Sequence, residues 1–286
     1  MNRRSLLKGL PLALYPRLSM AAGKARLKSA LCAYSYRDAL EKKTMTYEDL
    51  VRVAVETGIE GLDLTVYWFP DTSDAFLLPL KRAAFRAGVE IYSISVRSEM
   101  TRAEAARRDK EVADLKGWID VAAKLGAGHV RVFGGNVPKG STEEQAVPWV
   151  VETLGRAGEY AGSRGVILGL ENHGGITARA ERIVEIVKKT GSPWVAVNLD
   201  TGNFEKDVYR QIEMLVPYAA NVQVKAEMRD EAGTRVPQDW DRVAKMLAAA
   251  GYQGYLALEY EASEDARTAV PRLLGRLKAL TAKYSA

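Results

Sequence analysis

Eight short apolar segments alternate with longer segments of helical periodicity from residue 29 onward, and this alternation limits the folds that the chain can adopt. The helical segments carry apolar residues at i, i+3, i+4 and i+7, as in Val243, Met246, Leu247 and Ala250. The strand candidates each begin apolar and end polar, and they read ALCAYSY, GLDLTVYW, EIYSISVRS, HVRVFGG, VILGLENHGG, WVAVNLDTGNF, NVQVKAEM and YLALEYEA. Such alternation predicts a parallel sheet covered by helices.

Eight strand–helix units favour a closed (β/α)8 TIM barrel, a single α/β domain, over an open doubly wound sheet. An open dinucleotide-binding sheet would carry G-x-G-x-x-G after its first strand, and AYSYRDALEK lacks it. In a barrel, the polar residues at the strand ends are predicted to converge on one mouth. Ser141 and Glu144 also predict a capping box at the start of a helix.

The first 24 residues differ in composition from the rest of the chain. Paired arginines, Arg3 and Arg4, precede a short apolar stretch and the small residues Ala21 and Ala22, an order typical of an export signal. The string NRRSLLK resembles a twin-arginine signal. We therefore predict an export signal over residues 1–24, a barrel over residues 25–286 and a periplasmic or exported location. A basic arm on a cytoplasmic protein is the alternative.

The positive charge of the chain lies largely in this N-terminal segment. Lysine and arginine number 41 against 36 acidic residues, and Arg3, Arg4, Lys8 and Arg17 account for most of the excess. Without these four the balance is 37 to 36, which predicts no nucleic-acid partner. No apolar stretch reaches the roughly 18 residues that span a bilayer, so stable membrane insertion is not expected.

Polar residues at the ends of the last four predicted strands form a candidate metal site. The set consists of Glu171, Asp200, Gln223 and Glu259. Carboxylates brought together in a partly buried mouth repel one another unless a cation neutralises them. Oxygen donors favour Mn²⁺, Mg²⁺ or Ca²⁺. The competing interpretation places these acids in surface salt bridges with Arg97, Arg131 and Lys225.

Four runs, LENHGG, NLDTGN, VQVK and ALEYE, occur in this order. Together they resemble the xylose isomerase-like TIM-barrel family of sugar isomerases and epimerases over roughly residues 29–280. The resemblance implies one divalent ion, Mn²⁺, Mg²⁺ or Co²⁺, bound by Glu171, Asp200 and Glu259, with Glu171 and Glu259 also moving a proton. The family commonly has H-x-K-D where this chain has QVKA, so Gln223 replaces a histidine and Ala226 an aspartate. An amide oxygen can still bind a metal ion, but it is a weaker donor for transition metals.

The implied reaction is proton transfer next to a sugar carbonyl, through an enediolate whose charge a metal ion stabilises. The residues expected to contact the substrate are His173, Lys225, Arg131, Tyr67 and Asn203. Lys225 and Arg131 would orient oxygen atoms, and Tyr67 would cover the apolar face of a sugar ring. The sequence thus predicts a divalent-metal-dependent sugar isomerase or epimerase whose partner is a small carbohydrate.

Three other functions compete with this prediction. A lyase or hydratase acting on 3-keto-sugars or keto-glycosides would use the same enediolate. A non-catalytic carbohydrate-binding barrel would follow if Gln223 disables the metal site. Cleavage of DNA at abasic sites is disfavoured, because it needs a histidine-rich metal cluster and the chain has 2 histidines. The sequence does not determine the oligomeric state, and a homo-oligomer is compatible with it.

Overall fold

The computed structural model describes residues 23–285, so the predicted export signal lies almost wholly outside the described range. Within that range the chain forms one closed barrel of parallel strands surrounded by helices. The predicted (β/α)8 TIM barrel with a single domain is therefore confirmed. No helix in the described range is long and apolar enough to cross a membrane.

The strands are β1 (Arg26–Cys32), β2 (Gly61–Thr65), β3 (Glu90–Ser95), β4 (His129–Phe133), β5 (Ile167–Glu171), β6 (Val195–Asp200), β7 (Ala219–Lys225), β8 (Glu227–Arg229), β9 (Arg235–Pro237) and β10 (Gln253–Glu259). Around the barrel the order is β1, β10, β7, β6, β5, β4, β3 and β2, closing on β1. β8 and β9 form an antiparallel hairpin that the sequence analysis did not predict. Because this hairpin directly follows β7, it lies at the C-terminal mouth of the barrel.

The helices are α1 (Arg37–Glu41), α2 (Tyr47–Thr57), α3 (Asp74–Arg86), α4 (Ala105–Leu125), α5 (Glu143–Ser163), α6 (Ala180–Thr190), α7 (Val208–Leu215), α8 (Trp240–Ala249) and α9 (Ala266–Tyr284). Their apolar faces pack on the outside of the barrel and form the main core. Leu62 and Leu64 of β2 point outward into this core and are fully buried. Burial of one such leucine contributes about 1.5–3 kcal/mol.

Residues between the outward-facing positions point into the barrel, because strand side chains alternate between the two faces. Near the bottom of the barrel, Tyr92 and Tyr255 stack with ring centroids 3.8 Å apart. Ala30, Cys32 and Ala257 pack around them as a small inner core. Both faces of each strand are thus buried, and the outward-facing positions are apolar, whereas several inward-facing positions near the mouth carry buried polar side chains.

Strands end earlier than the sequence analysis predicted. The segment ALCAYSY is extended only as far as Cys32, and residues Ala33–Tyr36 form a 3-10 turn. β2 likewise ends at Thr65 and is followed by a 3-10 turn over Val66–Trp68. The chain must leave the barrel wall within a few residues to reach the helical layer, so the polar ends of the segments become loops that cover the mouth.

The capping box of α5 lies one residue later than predicted. Thr142 Oγ1 accepts a hydrogen bond from the Gln145 backbone at 3.2 Å, and Gln145 Oε1 accepts one from the Thr142 backbone at 2.9 Å. The run STEEQ contains both the S-x-x-E and the T-x-x-Q register. Thr142 has the extended backbone that an N-cap requires, so the pair of Ser141 and Glu144 was a wrong prediction.

His129, at the start of β4, is buried inside the barrel. Its Nδ1 lies 2.8 Å from Ser93 Oγ, and its ring occupies the space that a side chain at Gly169 would need. Burial, reinforced by the nearby charge of Arg131, lowers the pKa of His129 to about 3. The residue therefore stays neutral in the folded protein across a wide range of pH.

Replacing His129 by glutamine is expected to make folding stability less sensitive to acid. The unfolded histidine titrates near pH 6.5, whereas the folded one titrates near pH 3. Between these values the unfolded state binds more protons, so stability present above about pH 6.5 is lost as the pH falls towards 3. At pH ~4.5 the loss is on the order of 2–3 kcal/mol. Urea unfolding of both proteins at pH 7 and 4.5 measures it, and an identical pH dependence would contradict it.

Candidate active site at the barrel mouth

A pocket of about 160 Å³ opens at the C-terminal ends of the barrel strands. It is lined by Tyr34, Tyr67, Arg97, Arg131, Phe133, Glu171, His173, Asn203, Lys225, Glu259 and Glu261. Of the site residues predicted from the sequence, only Asp200 and Gln223 are absent from this lining. Both of these side chains are fully buried directly beneath the pocket.

Glu171 and Arg131 form a buried ion pair on one side of the pocket. Arg131 Nε lies 2.9 Å from Glu171 Oε2, and both side chains are 3% exposed. Asn203 Nδ2 donates to Glu171 Oε1 at 3.0 Å, and Arg131 donates to the Tyr67 hydroxyl at 3.0 Å. Burial raises the pKa of Glu171, and Arg131 offsets part of that rise. The carboxylate is thereby held in one orientation at the end of β5.

Lys225 is surrounded by three carboxylates on the other side of the pocket. Its Nζ lies 3.2 Å from Asp200 Oδ2 and 3.5 Å from Glu259 Oε1, and it also contacts Glu261. Burial alone would lower the pKa of Lys225, but these carboxylates raise it well above its ordinary value. Burial raises the pKa of Glu259 to about 7, against the opposing effect of Lys225. A carboxyl group with that pKa can both accept and release a proton near neutral pH.

Beneath the pocket, buried side chains form a continuous hydrogen-bonded chain: Tyr92, Asn221, Asn198, Gln223, Asp63 and Ser95. Gln223 Nε2 donates to Asp63 Oδ2 at 3.0 Å, and Gln223 Oε1 accepts from Asn198 Nδ2 at 2.8 Å. The carboxylate of Asp63 requires donors, so Gln223 must turn its NH₂ group towards it. This requirement directs the amide oxygen of Gln223 towards Asn198 rather than into the pocket.

Three of the four predicted ligands have the chemistry of a divalent-ion site. Glu259 Oε2 is buried and accepts no hydrogen bond from the described residues, a costly state unless a cation is close. Asp200 Oδ2 is buried as well, and the cation beside it is the Lys225 ammonium group at 3.2 Å. Glu171 adds a third carboxylate on a neighbouring strand. These oxygen atoms fit Mg²⁺ or Mn²⁺. Gln223 fits less well, because both ends of its amide are engaged below the pocket.

Lys225 already lies beside the carboxylates that would bind such an ion. In residues 23–285, no three acidic, histidine or cysteine side chains are gathered closely enough to form a ready-made metal site. The ammonium group of Lys225 contacts Asp200 and Glu259 directly. A divalent ion at these two residues would therefore compete with Lys225 for the same oxygen atoms.

The run Glu171, Asn172 and His173 performs three different tasks. Glu171 enters the pocket and pairs with Arg131. Asn172 accepts a hydrogen bond from the Asp200 backbone N–H at 2.9 Å and donates one to the Asp200 carbonyl at 2.8 Å, which ties β5 to β6. The ring of His173 stacks on Phe133 with centroids 4.0 Å apart at the rim. This segment is therefore part of the pocket and of its support.

Three residues that the structure brings to the site were not predicted from the sequence, namely Tyr34, Phe133 and Asn198. Asn198 and Phe133 each lie two positions from a predicted site residue. Side chains two apart on a strand share a face, so this spacing was the available signal. Tyr36, two positions after Tyr34, is 3% exposed and packs into the main core instead of the pocket.

Comparison with known proteins gives one family and several similar structures. Residues 51–280 match the family described as xylose isomerase-like TIM barrel. A D-psicose 3-epimerase from Clostridium cellulolyticum H10, solved with D-tagatose, is 17% identical, with a TM-score of 0.71 over 90% of this chain and 98% of that chain. None of the curated protein sequences compared with this chain matches it significantly.

Two further structures resemble the chain to a similar degree. A xylose isomerase-like TIM barrel protein from Mycobacterium smegmatis, in complex with magnesium, is 17% identical, with a TM-score of 0.71 over 91% of this chain and 98% of that chain. A 3-keto-D-glucoside 4-epimerase from E. coli is 16% identical, with a TM-score of 0.70 over 89% of this chain and 100% of that chain. At these identities the likeness is one of fold.

Proposed function

Because the chain belongs to the xylose isomerase-like TIM-barrel family, we propose that it is an epimerase or isomerase of a keto-sugar, with Glu171 and Glu259 moving the proton. One observation carries this proposal. The two carboxylates end β5 and β10, which are separated by β6 and β7 on one side of the barrel, and both line the same pocket. They therefore flank any sugar bound between them.

The residues of the pocket can divide the steps of proton transfer. One glutamate removes the proton from the carbon next to the carbonyl, and the other returns a proton to the opposite face or to the neighbouring carbon. Glu259, whose pKa burial raises to about 7, is suited to exchange a proton near neutral pH. The cationic groups of Arg131 and Lys225 attract the negative charge that develops on the substrate oxygen atoms.

Glu171, Asp200 and Glu259 would hold the divalent ion, Mn²⁺, Mg²⁺ or Co²⁺, that the family resemblance implies. When bound, such an ion supplies Lewis acidity that stabilises the negative charge of an enediolate. Asn203 and Arg131 hold the carboxylate of Glu171 in one orientation. His173 and Tyr67 lie at the rim, where they would contact the hydroxyl groups and the apolar face of the sugar.

A lyase or hydratase acting on keto-glycosides is the second candidate. Lys225 places a charged N–H donor 3.5 Å from Glu259 Oε1, where it can stabilise the negative charge on an oxygen atom that leaves from the β carbon. Glu259, whose pKa burial raises to about 7, can supply the proton to that oxygen atom. The enediolate would then eliminate its leaving group instead of taking back a proton. The export predicted from the N-terminal residues would favour this reaction, since extracytoplasmic carbohydrate is largely unphosphorylated.

Deuterium exchange tests the proposal whichever product forms. The protein is incubated in D₂O, with and without added Mn²⁺, with a panel of ketohexoses and 3-keto-glucosides, and NMR follows each carbon. We expect deuterium to enter next to the carbonyl of at least one sugar, together with an epimer or isomer. Release of an aglycone would favour the lyase instead. Binding of sugars without any exchange would favour the non-catalytic barrel and contradict an enzyme.

A further inference from the structure

A second and larger depression lies beside the pocket, between the ends of β3 and β4 and helix α4. Its volume is about 760 Å³, compared with about 160 Å³ for the pocket. Arg97 and Phe133 line both cavities, so the two adjoin at these side chains. We call this depression the α4 groove, and its lining also includes Glu111, Asp114, Gly117 and Trp118.

Size separates the roles of the two cavities. Small-molecule sites in proteins usually measure about 300–1,000 Å³. The pocket is below this range and suits one sugar ring, whereas the α4 groove is within it. A cavity beside the β8–β9 hairpin also adjoins the pocket, but at about 60 Å³ it is too small for a second ring.

The α4 groove also has the surface chemistry that carbohydrates require. Sugars place their apolar C–H faces against aromatic rings and their hydroxyl groups against charged or polar side chains. Trp118 is only partly buried, whereas the ring of Phe133 is already contacted by His173 and by the guanidinium group of Arg131. Arg97 and Asp114 supply a hydrogen-bond donor and an acceptor. Next to Trp118, Gly117 faces open space, since a Cβ there would meet no atom within 4 Å.

One other depression reaches the pocket, through Glu261, and has a volume of about 590 Å³. Its aromatic residues are Tyr36 and Tyr260, and each is 3% exposed. These rings are covered by the protein and offer no face to a sugar. The partly exposed ring of Trp118 therefore distinguishes the α4 groove as the extension of the pocket.

We propose that the α4 groove binds the second unit of a glycoside whose reacting sugar lies in the pocket. The proposal rests on the proposed function for the identity of the reacting sugar, and it names glycosides, rather than free monosaccharides, as the substrate class. Trp118 acts as a specificity residue for the second unit. It does not touch the reacting atoms.

Equilibrium binding of unreactive sugars tests this assignment. Methyl β-glucoside, cellobiose and maltose lack the carbonyl group that the reaction needs, so turnover does not interfere. NMR titrations of the full chain measure the Kd of each sugar in the wild type, Trp118→Ala, Trp118→Phe and Trp149→Ala. Trp149 is another partly buried tryptophan, on α5 and outside the groove lining, and its variant is the matched control.

We expect at least one disaccharide to bind about tenfold more tightly than methyl β-glucoside, a factor that corresponds to about 1.4 kcal/mol. Trp118→Ala should abolish this preference without changing the Kd of methyl β-glucoside, whereas Trp118→Phe and Trp149→Ala should retain it. Equal binding of all three sugars, binding of none, or an equal loss for all three in Trp118→Ala would overturn the assignment. A disaccharide preference without deuterium exchange would instead contradict only the proposed reaction.

Discussion

Turnover of the keto-sugar substrate is expected to fall by about a hundredfold to ten-thousandfold when either Glu171 or Glu259 is replaced by glutamine. General acid–base catalysis by a positioned side chain contributes about this factor, and an amide cannot exchange the proton. Glutamine keeps the shape of the side chain, so the loss reflects the missing carboxylate, which both moves the proton and would bind the ion, rather than altered packing. The rate of deuterium exchange at the carbon next to the carbonyl is the direct measurement.

The two variants should differ in stability, which provides an internal control. Glu171 is the only carboxylate in the described residues that forms an ion pair with the buried Arg131. Breaking a buried ion pair costs about 3–5 kcal/mol, so Glu171→Gln should be clearly destabilised in urea unfolding. Lys225 retains its ion pairs with Asp200 and Glu261 when Glu259 is replaced. Glu259→Gln should therefore lose much less folding stability than Glu171→Gln. Full exchange activity in either variant would rule out that residue as a proton carrier.

The affinity for Mn²⁺ is expected to rise about tenfold or more when Lys225 is replaced by methionine. At an effective dielectric constant of about 20, two unit charges ~4 Å apart interact by about 4 kcal/mol, so removing the ammonium group strongly favours another cation. Asp200 and Glu259 remain to bind the ion. Methionine fills a similar volume without charge, so the packing around β7 is largely retained.

Glu261→Gln should have the opposite effect on the affinity for Mn²⁺. Glu261 is the most exposed of the three carboxylates that pair with Lys225. Without it the ammonium group pairs only with Asp200 and Glu259, so it competes more strongly with Mn²⁺ for these two carboxylates. Calorimetric titration with Mn²⁺ measures both variants, and Lys116→Met, a charge removal on the exposed face of α4, is the control. Equal affinities in the wild type and Lys225→Met would mean that Lys225 does not compete with the ion.

Several features of the site followed directly from local sequence. The eight apolar segments with polar ends were enough to predict the barrel, because strand ends in this fold converge on one mouth. Glu171 and Glu259 were found in this way, and the structure places both in the pocket lining. Tyr34 was missed, although it lies two positions after the inward-facing Cys32 and packs against the inner core.

The tertiary structure alone decided which group each side chain contacts. The sequence predicts Gln223 as a metal ligand. In the structure, Asp63, 160 residues away in the chain, fixes the orientation of the Gln223 amide. Arg131 pairs with Glu171, and Lys225 gathers three carboxylates, because barrel closure brings separate strands together. The sequence by itself determined the order of strands and helices and the chemistry at each strand end, since these depend on neighbouring residues. Charge pairing, amide orientation and the α4 groove depend on contacts between distant segments, and only the folded barrel defines them.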